Sequence, residues 1–583
     1  MILVDARRLT GPSHLSRAPI VIAEVTLEPG EAIADARAAY AAELSRMRLA
    51  LGLPGGVALL TRPHVGGAVF GYEAPVDVML ACAEMSEWAG MSAAERMAGR
   101  PALDLEPKRA EIALMLDEQR SPRLVALVAE AGVRGVAVLW DDELVTFGMG
   151  RGSVTFPITP RAGLPEARAV PWSSLARVPI ALITGTNGKT TTSRLLAKIA
   201  AAAGLRAGVA STGGMMLAGE TLAEGDWTGP AAARTILRRD DVDLAVLETV
   251  RGGILRRGLA VDTCDVAVIT NVRDDHLGLY GIDDLSAMTA VKGLVAQVVR
   301  PGGAAVLAAS DVRLVALAQT LACEVIFFAD LDAPPAEGDP ATKVLSEARA
   351  RGARSVLARD GDIVVRSGEA EAVLMRVDEA PITFGGAARY NVQNVLAAIG
   401  AALSLGLPEA AIAAAVRAFS QHDNPGRGQL SEHGGVRVLR DFGHNADGVR
   451  AVMQLVSRLR EPPHPRGRLT VVTGSPGDRT DRELACVAAA ICEAAPDRVL
   501  VRELEHYLRG RSLGEVPAVL RRELLACGLD ASAFGVTASE VSALREALAD
   551  GAPGDFVAVL VHVEEDETAA FLAAYVPPAR PDA

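Results

Sequence analysis

The rhythm of apolar and polar positions changes twice along this chain. From about residue 20 to about residue 170 it is mixed. The run APIVIAEVTLE (Ala18 to Glu28) reads as a strand and Asp35 to Gly52 as an amphipathic helix. Gly56 to Glu73 reads as a hairpin, Pro75 to Met91 as another helix, and two further helical stretches lie between Glu106 and Ala131. Arg134 to Phe156 then gives two strands around an Asp141-Asp142 turn, which completes an α+β pattern. The glycines of Gly148-Met149-Gly150-Arg151-Gly152 read as a turn rather than a phosphate loop. Residues 160–178, rich in Pro, Ala and Arg, read as a linker. Beyond it, strand, glycine turn and helix alternate, the pattern of a parallel α/β sheet. A second break falls at Ser420 to Leu430, after which the alternation restarts in a smaller unit. The expected domains are therefore 1–172, 173–423 and 424–583, with the tail from Val576 frayed.

Composition narrows the function. The 583 residues are half hydrophobic and suffice for three or four domains with sizeable cores. A net charge of −13 argues against a partner that is nucleic acid or a membrane surface, and leaves room for a local basic site. The six cysteines are scattered without CxxC spacing, so neither a zinc site nor a disulfide framework is expected, and a reduced, cytoplasmic setting is. The first twenty residues hold no continuous apolar signal region, and no apolar run is long enough to span a bilayer.

The strongest chemical signal is PIALITGTNGKTTTSRLLAKIA (Pro179 to Ala200). An apolar strand runs into Gly185, Thr186, Asn187, Gly188, Lys189 and Thr190, and a helix follows. Glycines let backbone N–H groups turn inward around phosphate oxygens, and the helix N-terminus adds partial positive charge. Lys189 can reach the outer phosphates and the Thr190 hydroxyl can ligate Mg²⁺. A second strand, DLAVLE, ends in Glu248, where ligands of α/β sheets sit. A third ends in Asn271, Asp274, Asp275 and His276, and His276 offers a second metal ligand. Lys292, inside an apolar helix, either snorkels to solvent or points at the site.

These motifs resemble the Mur ligase family. GTNGKTTT, the acid-ended strand, TNVRDDHLG, the lysine of the next helix, ARYNVQNVLAAIGAA and PGRG…DFGHNADG occur in that family's order. The family comprises ATP-dependent amide ligases of peptidoglycan synthesis, folylpolyglutamate synthases and cyanophycin synthetases. LETVRGGILRRGLA, GDWTGP and GSPGDRTD look like the cyanophycin synthetase branch. The resemblance is specific from about residue 175 to about 515, and before that rests mainly on RRLTGPSHLS. It implies an α/β fold: a P-loop central domain and a Rossmann-like C-terminal domain after the α+β unit. It also implies ATP and Mg²⁺ as cofactors. Gly185 to Thr191 would bind phosphates, Asn391 and Asn394 would lie near adenine, and Arg427, Asp441, His444 and Asn445 would reach the nucleotide from the last domain. Thr190, Glu248, His276 and Lys292 would hold metal, Lys292 either as a carbamate or as an unmodified amine on phosphate. Asp226 and Thr228 of GDWTGP, with Arg251, Arg256 and Arg257, would meet substrate, the arginines gripping acceptor carboxylates. The loop Glu503 to Pro517 is a further candidate substrate loop.

One departure matters. Cyanophycin synthetases carry an ATP-grasp domain between these two regions, whereas about 25 residues separate Gly152 from Arg177 here. Three readings compete: a ligase that joins a carboxylate to an amine of an amino acid or peptide through an acyl phosphate, an ATP-binding accessory or regulatory subunit of a synthetase, and a non-catalytic binding module. The retained set Lys189, Thr190, Glu248, His276 and Lys292 favours the first, since buried charges are expensive without a ligand. The related synthetases make a homo-oligomer an expectation.

Overall fold

A computed structural model of the chain describes residues 1–158, 163–336, 338–462 and 467–577. These residues form four sheets. The first is antiparallel, in the order Ile2–Leu9, Ile20–Thr26, Gly67–Glu73, Leu60–His64. Helices Ile33–Ala50 and Met79–Met97 cover it, burying Tyr40 stacked on Phe70 at 5.5 Å between ring centroids. The opening strand was not expected: its apolar run, Met1 to Val4, is short, leaves Ile2 and Val4 exposed and is followed by Asp5, Arg7 and Arg8. The Asp-Asp turn joins Val138–Trp140 to Leu144–Phe147, and a third strand, Val154–Pro157, extends that sheet. The expected linker is packed where it is described: Leu164 and Val170 are buried, and Trp172 lies edge-on to Phe147 at 5.3 Å. The frayed tail was read largely on residues 578–583, outside the described residues.

The central sheet has eleven strands. Seven run parallel, in the order Ala207–Ser211, Leu244–Glu248, Ile180–Thr184, Cys264–Ile269, Val299–Ala308, Glu324–Asp330, Arg354–Arg359. Antiparallel strands at each edge extend it. The middle strands are mostly apolar because helices cover both faces, and all five residues of Ile180–Thr184 are buried. The chain leaves Ile180–Thr184 in one direction and later returns on its other side. That switch point opens a crevice at the carboxyl ends of the strands. The last sheet has six strands, five of them parallel, with Val436–Asp441 and Phe556–Leu560 side by side. Its crevice faces the central one.

Candidate active site

Gly185 and Gly188 shape the phosphate loop. Gly188 has φ +88° and any Cβ there would lie 2.1 Å from Asn394 Oδ1, so only glycine fits. Helix Lys189–Ala202 starts directly after it, aiming its N-terminal N–H groups at the loop. The loop is braced by the end of the neighbouring strand. Thr270 Oγ1 donates to the Asn187 carbonyl at 2.6 Å, and Asn271 Oδ1 accepts from the Asn187 N–H at 3.0 Å. Lys189 Nζ donates to the Gly185 and Thr186 carbonyls at 3.1 and 2.9 Å.

Glu248 closes its strand with only 2 % of its surface exposed. Its carboxylate accepts from the Thr190 hydroxyl at 3.0 Å, the Thr212 hydroxyl at 2.9 Å and the Thr212 N–H at 3.2 Å. A carboxylate and a hydroxyl so placed beside a phosphate loop are hard oxygen donors that fit Mg²⁺. Among the described residues no group of three His, Cys, Asp or Glu side chains is placed to hold a metal ion by itself, so further ligands to such an ion would be phosphate oxygens and water. Lys292 does not snorkel: it is buried, and Nζ donates to the Gly185 carbonyl at 2.7 Å. Burial, then the charge of Lys189, pushes its pKa well below the ordinary lysine value.

These residues line a cleft of about 580 Å³ between the two α/β units. Lys189, Thr190, Glu248 and Asn394 face it from one side, Arg427, Asp441, Phe442 and His444 from the other. Asn391 stands behind Asn394, accepting from its amide at 3.1 Å. The Arg427 guanidinium lies 4.2 Å from the Phe442 ring centre. Asp441 accepts from the Gly428 N–H at 2.7 Å, and burial raises its pKa against the lowering charge of Arg427. Across the cleft Asn187 and Asn445 exchange amide hydrogen bonds at 3.2 and 3.0 Å.

A cluster that sequence reading named only in pieces bridges the units below this cleft. Arg479, from GSPGDRTD, meets Asp275 at 2.7 Å, while His276 and His444 lie 3.7 and 3.6 Å from the same carboxylate. Burial pushes the Asp275 carboxyl up, but the His444 hydrogen bond and the neighbouring positive charges outweigh it and hold it well below the usual carboxylate range. Burial also lowers the His276 pKa, whereas for Arg479 burial is outweighed by the charge and hydrogen bond of Asp275, which raise the guanidinium pKa. Because the folded-state pKa of Asp275 is depressed, this stabilisation is present above the unfolded value of about 3.9 and lost as pH falls below it. Arg479→Ala, which strands a buried carboxylate, is expected to lower unfolding stability by about 3 kcal/mol at pH 7. In denaturation measured across pH, the gap from wild type should narrow below about pH 4. A gap independent of pH would remove Asp275 as its cause.

The remaining candidates lie outside this cleft. Arg251 donates to the His276 and Leu279 carbonyls at 2.7 and 3.3 Å, bracing the His276 loop. Arg256 folds onto its own helical turn at the Gly252 carbonyl, 3.2 Å away. Arg257 lies toward the N-terminal unit, where its charge helps lower the pKa of Asp142. Asp226 accepts from the Thr228 hydroxyl at 2.7 Å, and Thr228 borders a narrow cavity beside Glu248.

Comparison with known proteins decides the family. The Mur ligase middle domain matches residues 183–402, and the Mur ligase glutamate ligase domain matches residues 426–561. The chain belongs to the Mur ligase family. It is 38 % identical over 406 residues to the cyanophycin synthetase of Synechocystis sp., covering 67 % of this chain and 44 % of that protein. It is 28 % identical over 410 residues to the UDP-N-acetylmuramoyl-L-alanyl-D-glutamate–2,6-diaminopimelate ligase of Geobacter metallireducens, covering 67 % of this chain and 74 % of that one. The chain thus spans less than half the length of the Synechocystis synthetase. Escherichia coli FolC, solved with DHPP and ADP, shares the fold at a TM-score of 0.50 and 20 % identity, covering 68 % of this chain and 89 % of FolC. Both matched family domains are therefore present, and they face one another across the cleft. No helix among its described residues is long and apolar enough to cross a membrane.

Proposed function

We propose that the chain is an ATP-dependent ligase that joins the carboxylate of an amino acid or peptide to an amine through an acyl phosphate. The observation that carries this is the buried Glu248–Thr190 pair beside Lys189, faced by Arg427 and Asp441 of the opposite unit. A carboxylate cannot expel oxide when an amine attacks. ATP supplies the phosphoryl group that turns that oxygen into a phosphate leaving group. Mg²⁺ held by Thr190 and Glu248 would neutralise the β/γ oxygens. Lys189 and the loop N–H groups hold the phosphates, Asn391 and Asn394 flank the base, and Arg427, Asp441, His444 and Asn445 close the cleft against water.

We assign His276 to the acceptor side with Lys292. Burial, which lowers the Lys292 pKa, makes its amine easier to deprotonate, as attack on CO₂ requires, and this supports the carbamate. Of the three arginines, we assign exposed Arg256 and Arg257 to acceptor carboxylates, since Arg251 is engaged with the His276 and Leu279 carbonyls. The loop Glu503 to Pro517 is our candidate for the amine side; its first five residues, with Arg502, Ala538 and Val563, line a cavity of about 190 Å³. The relatives named cyanophycin synthetase support an arginine-like amine and a β-aspartyl-like acceptor, and a homo-oligomer. The test is phosphate release from ATP with Mg²⁺ and paired amino acids or dipeptides, followed by mass spectrometry. Release that depends on both partners, with a product lighter by one water than their sum, is expected. Nucleotide binding without turnover for any pair would indicate an accessory subunit instead.

A further inference from the structure

The N-terminal sheet has no place in the chemistry above, yet it grips the two segments that carry Glu248 and His276. The first grip is on the segment after Glu248. Arg7 Nε donates to the Leu255 carbonyl at 3.2 Å, the Thr10 N–H to the Arg257 carbonyl at 2.8 Å, and the Leu259 N–H returns to the Pro12 carbonyl at 2.8 Å. The backbones touch so closely that a Cβ on Gly11 would lie 2.1 Å from the Leu259 carbonyl oxygen.

The second grip is on the loop after His276. Arg62, on edge strand Leu60–His64, donates to the Tyr280 carbonyl at 2.8 Å and also to that of Gly281. The Val65 N–H donates to Asp283 at 2.6 Å. The Arg7 guanidinium lies 5.3 Å from the Tyr280 ring centre, with Arg251 at 6.0 Å on the same ring. This loop is conformationally costly: His276, Gly278, Tyr280 and Gly281 have φ of +57°, +82°, +56° and +62°. Two of those are not glycine, and such backbone persists only where its surroundings over-determine it. Among the described residues the loop has two internal backbone bonds, Gly278 N–H to the Ile282 carbonyl at 2.8 Å and Ile282 N–H to the Leu279 carbonyl at 3.3 Å, while Arg62, Arg251 and Val65 supply contacts from outside.

We propose that the N-terminal sheet is a positioning element of the active site, with Arg62 the residue that fixes the His276 loop. Held from behind by one rigid body, the ends of two different strands keep a single separation, which is what clamping an acceptor between them requires. Arg62 touches no reacting atom. It acts through the Tyr280 and Gly281 carbonyls, and Arg251 completes the brace from the other side. The activity readout rests on the ligase reading, whereas the loop readout does not.

The test compares the full-length wild type with Arg62→Ala, Arg62→Lys, Gly281→Ala and Gly281→Ala/His64→Ala. In Arg62→Ala, amide exchange across residues 274–284 should rise about tenfold or more, with exchange in helix Lys189–Ala202 unchanged. The Kd for ADP with Mg²⁺ and the KM for ATP should stay within about twofold, while kcat falls about tenfold or more. Arg62→Lys, which keeps a cation and one carbonyl contact, should recover much of kcat. A Cβ on Gly281 would lie 2.6 Å from the His64 ring, so Gly281→Ala should lower kcat and added His64→Ala should restore part of it. Rescue of that kind distinguishes a transmitted contact from general destabilisation, and it decides the matter if Arg62→Ala does not fold. Loop exchange unchanged in Arg62→Ala, or kcat within twofold despite a freed loop, would overturn the proposal. If the wild type turns over no acceptor pair, the ligase reading falls, and loop exchange alone still supports or overturns the clamp.

Discussion

Lys189→Ala is expected to lower ATP turnover by roughly a few hundredfold while leaving the fold intact. The side chain reaches only the Gly185 and Thr186 carbonyls of its own loop, so its removal empties no core position. What is lost is a cation aimed where charge gathers on the transferring phosphoryl group. Removing one such preorganised donor typically costs about 3–4 kcal/mol, and each 1.4 kcal/mol is about tenfold in rate. Circular dichroism and the apparent melting temperature should match wild type, while kcat collapses. Turnover within tenfold of wild type would remove Lys189 from the phosphate site.

Glu248→Gln should lower kcat about a hundredfold and raise the Mg²⁺ concentration needed for half-maximal rate. The substitution keeps shape and one acceptor oxygen but replaces a carboxylate oxygen by an amide donor. Three donors converge on that carboxylate, two hydroxyls and one N–H, so one contact turns unfavourable. The structural part of this cost is about 1–3 kcal/mol, the penalty for an unsatisfied buried group. The loss of charge acts separately, on the cation. A Mg²⁺ titration distinguishes the two: a metal ligand shifts the Mg²⁺ midpoint, whereas a purely structural glutamate lowers stability and leaves the midpoint where it was.

The arginines that follow Glu248 show where reading the chain reaches its limit. In LETVRGGILRRGLA a cluster of positive charge beside an acid reads naturally as one binding patch. Folded, the helical turn Arg251–Arg257 sends these side chains in different directions. Arg251 turns back to the His276 carbonyl, Arg256 lies on its own turn, and Arg257 is exposed, its carbonyl held by the Thr10 N–H of the N-terminal unit. Arg479 illustrates the opposite case. GSPGDRTD is visible as a motif, but the partner of its arginine, Asp275, is 204 positions away in the chain. Arg62 left no signal, because an arginine on an edge strand is ordinary and its acceptors are backbone carbonyls.

The sequence by itself determined the phosphate loop, the acid at the end of the neighbouring strand, the parallel alternation of the central and last units, and the family. All of these are local: a loop that only glycine can form, a strand whose period marks burial on both faces, a helix that must start where the loop ends. Tertiary structure alone decided which charges meet. It brought Asp275 to Arg479 across two units, buried Lys292 against the Gly185 carbonyl, and set the N-terminal sheet against the segments that follow Glu248 and His276. Electrostatic pairing and desolvation depend on distances through space, and those are fixed only once the sheets have packed.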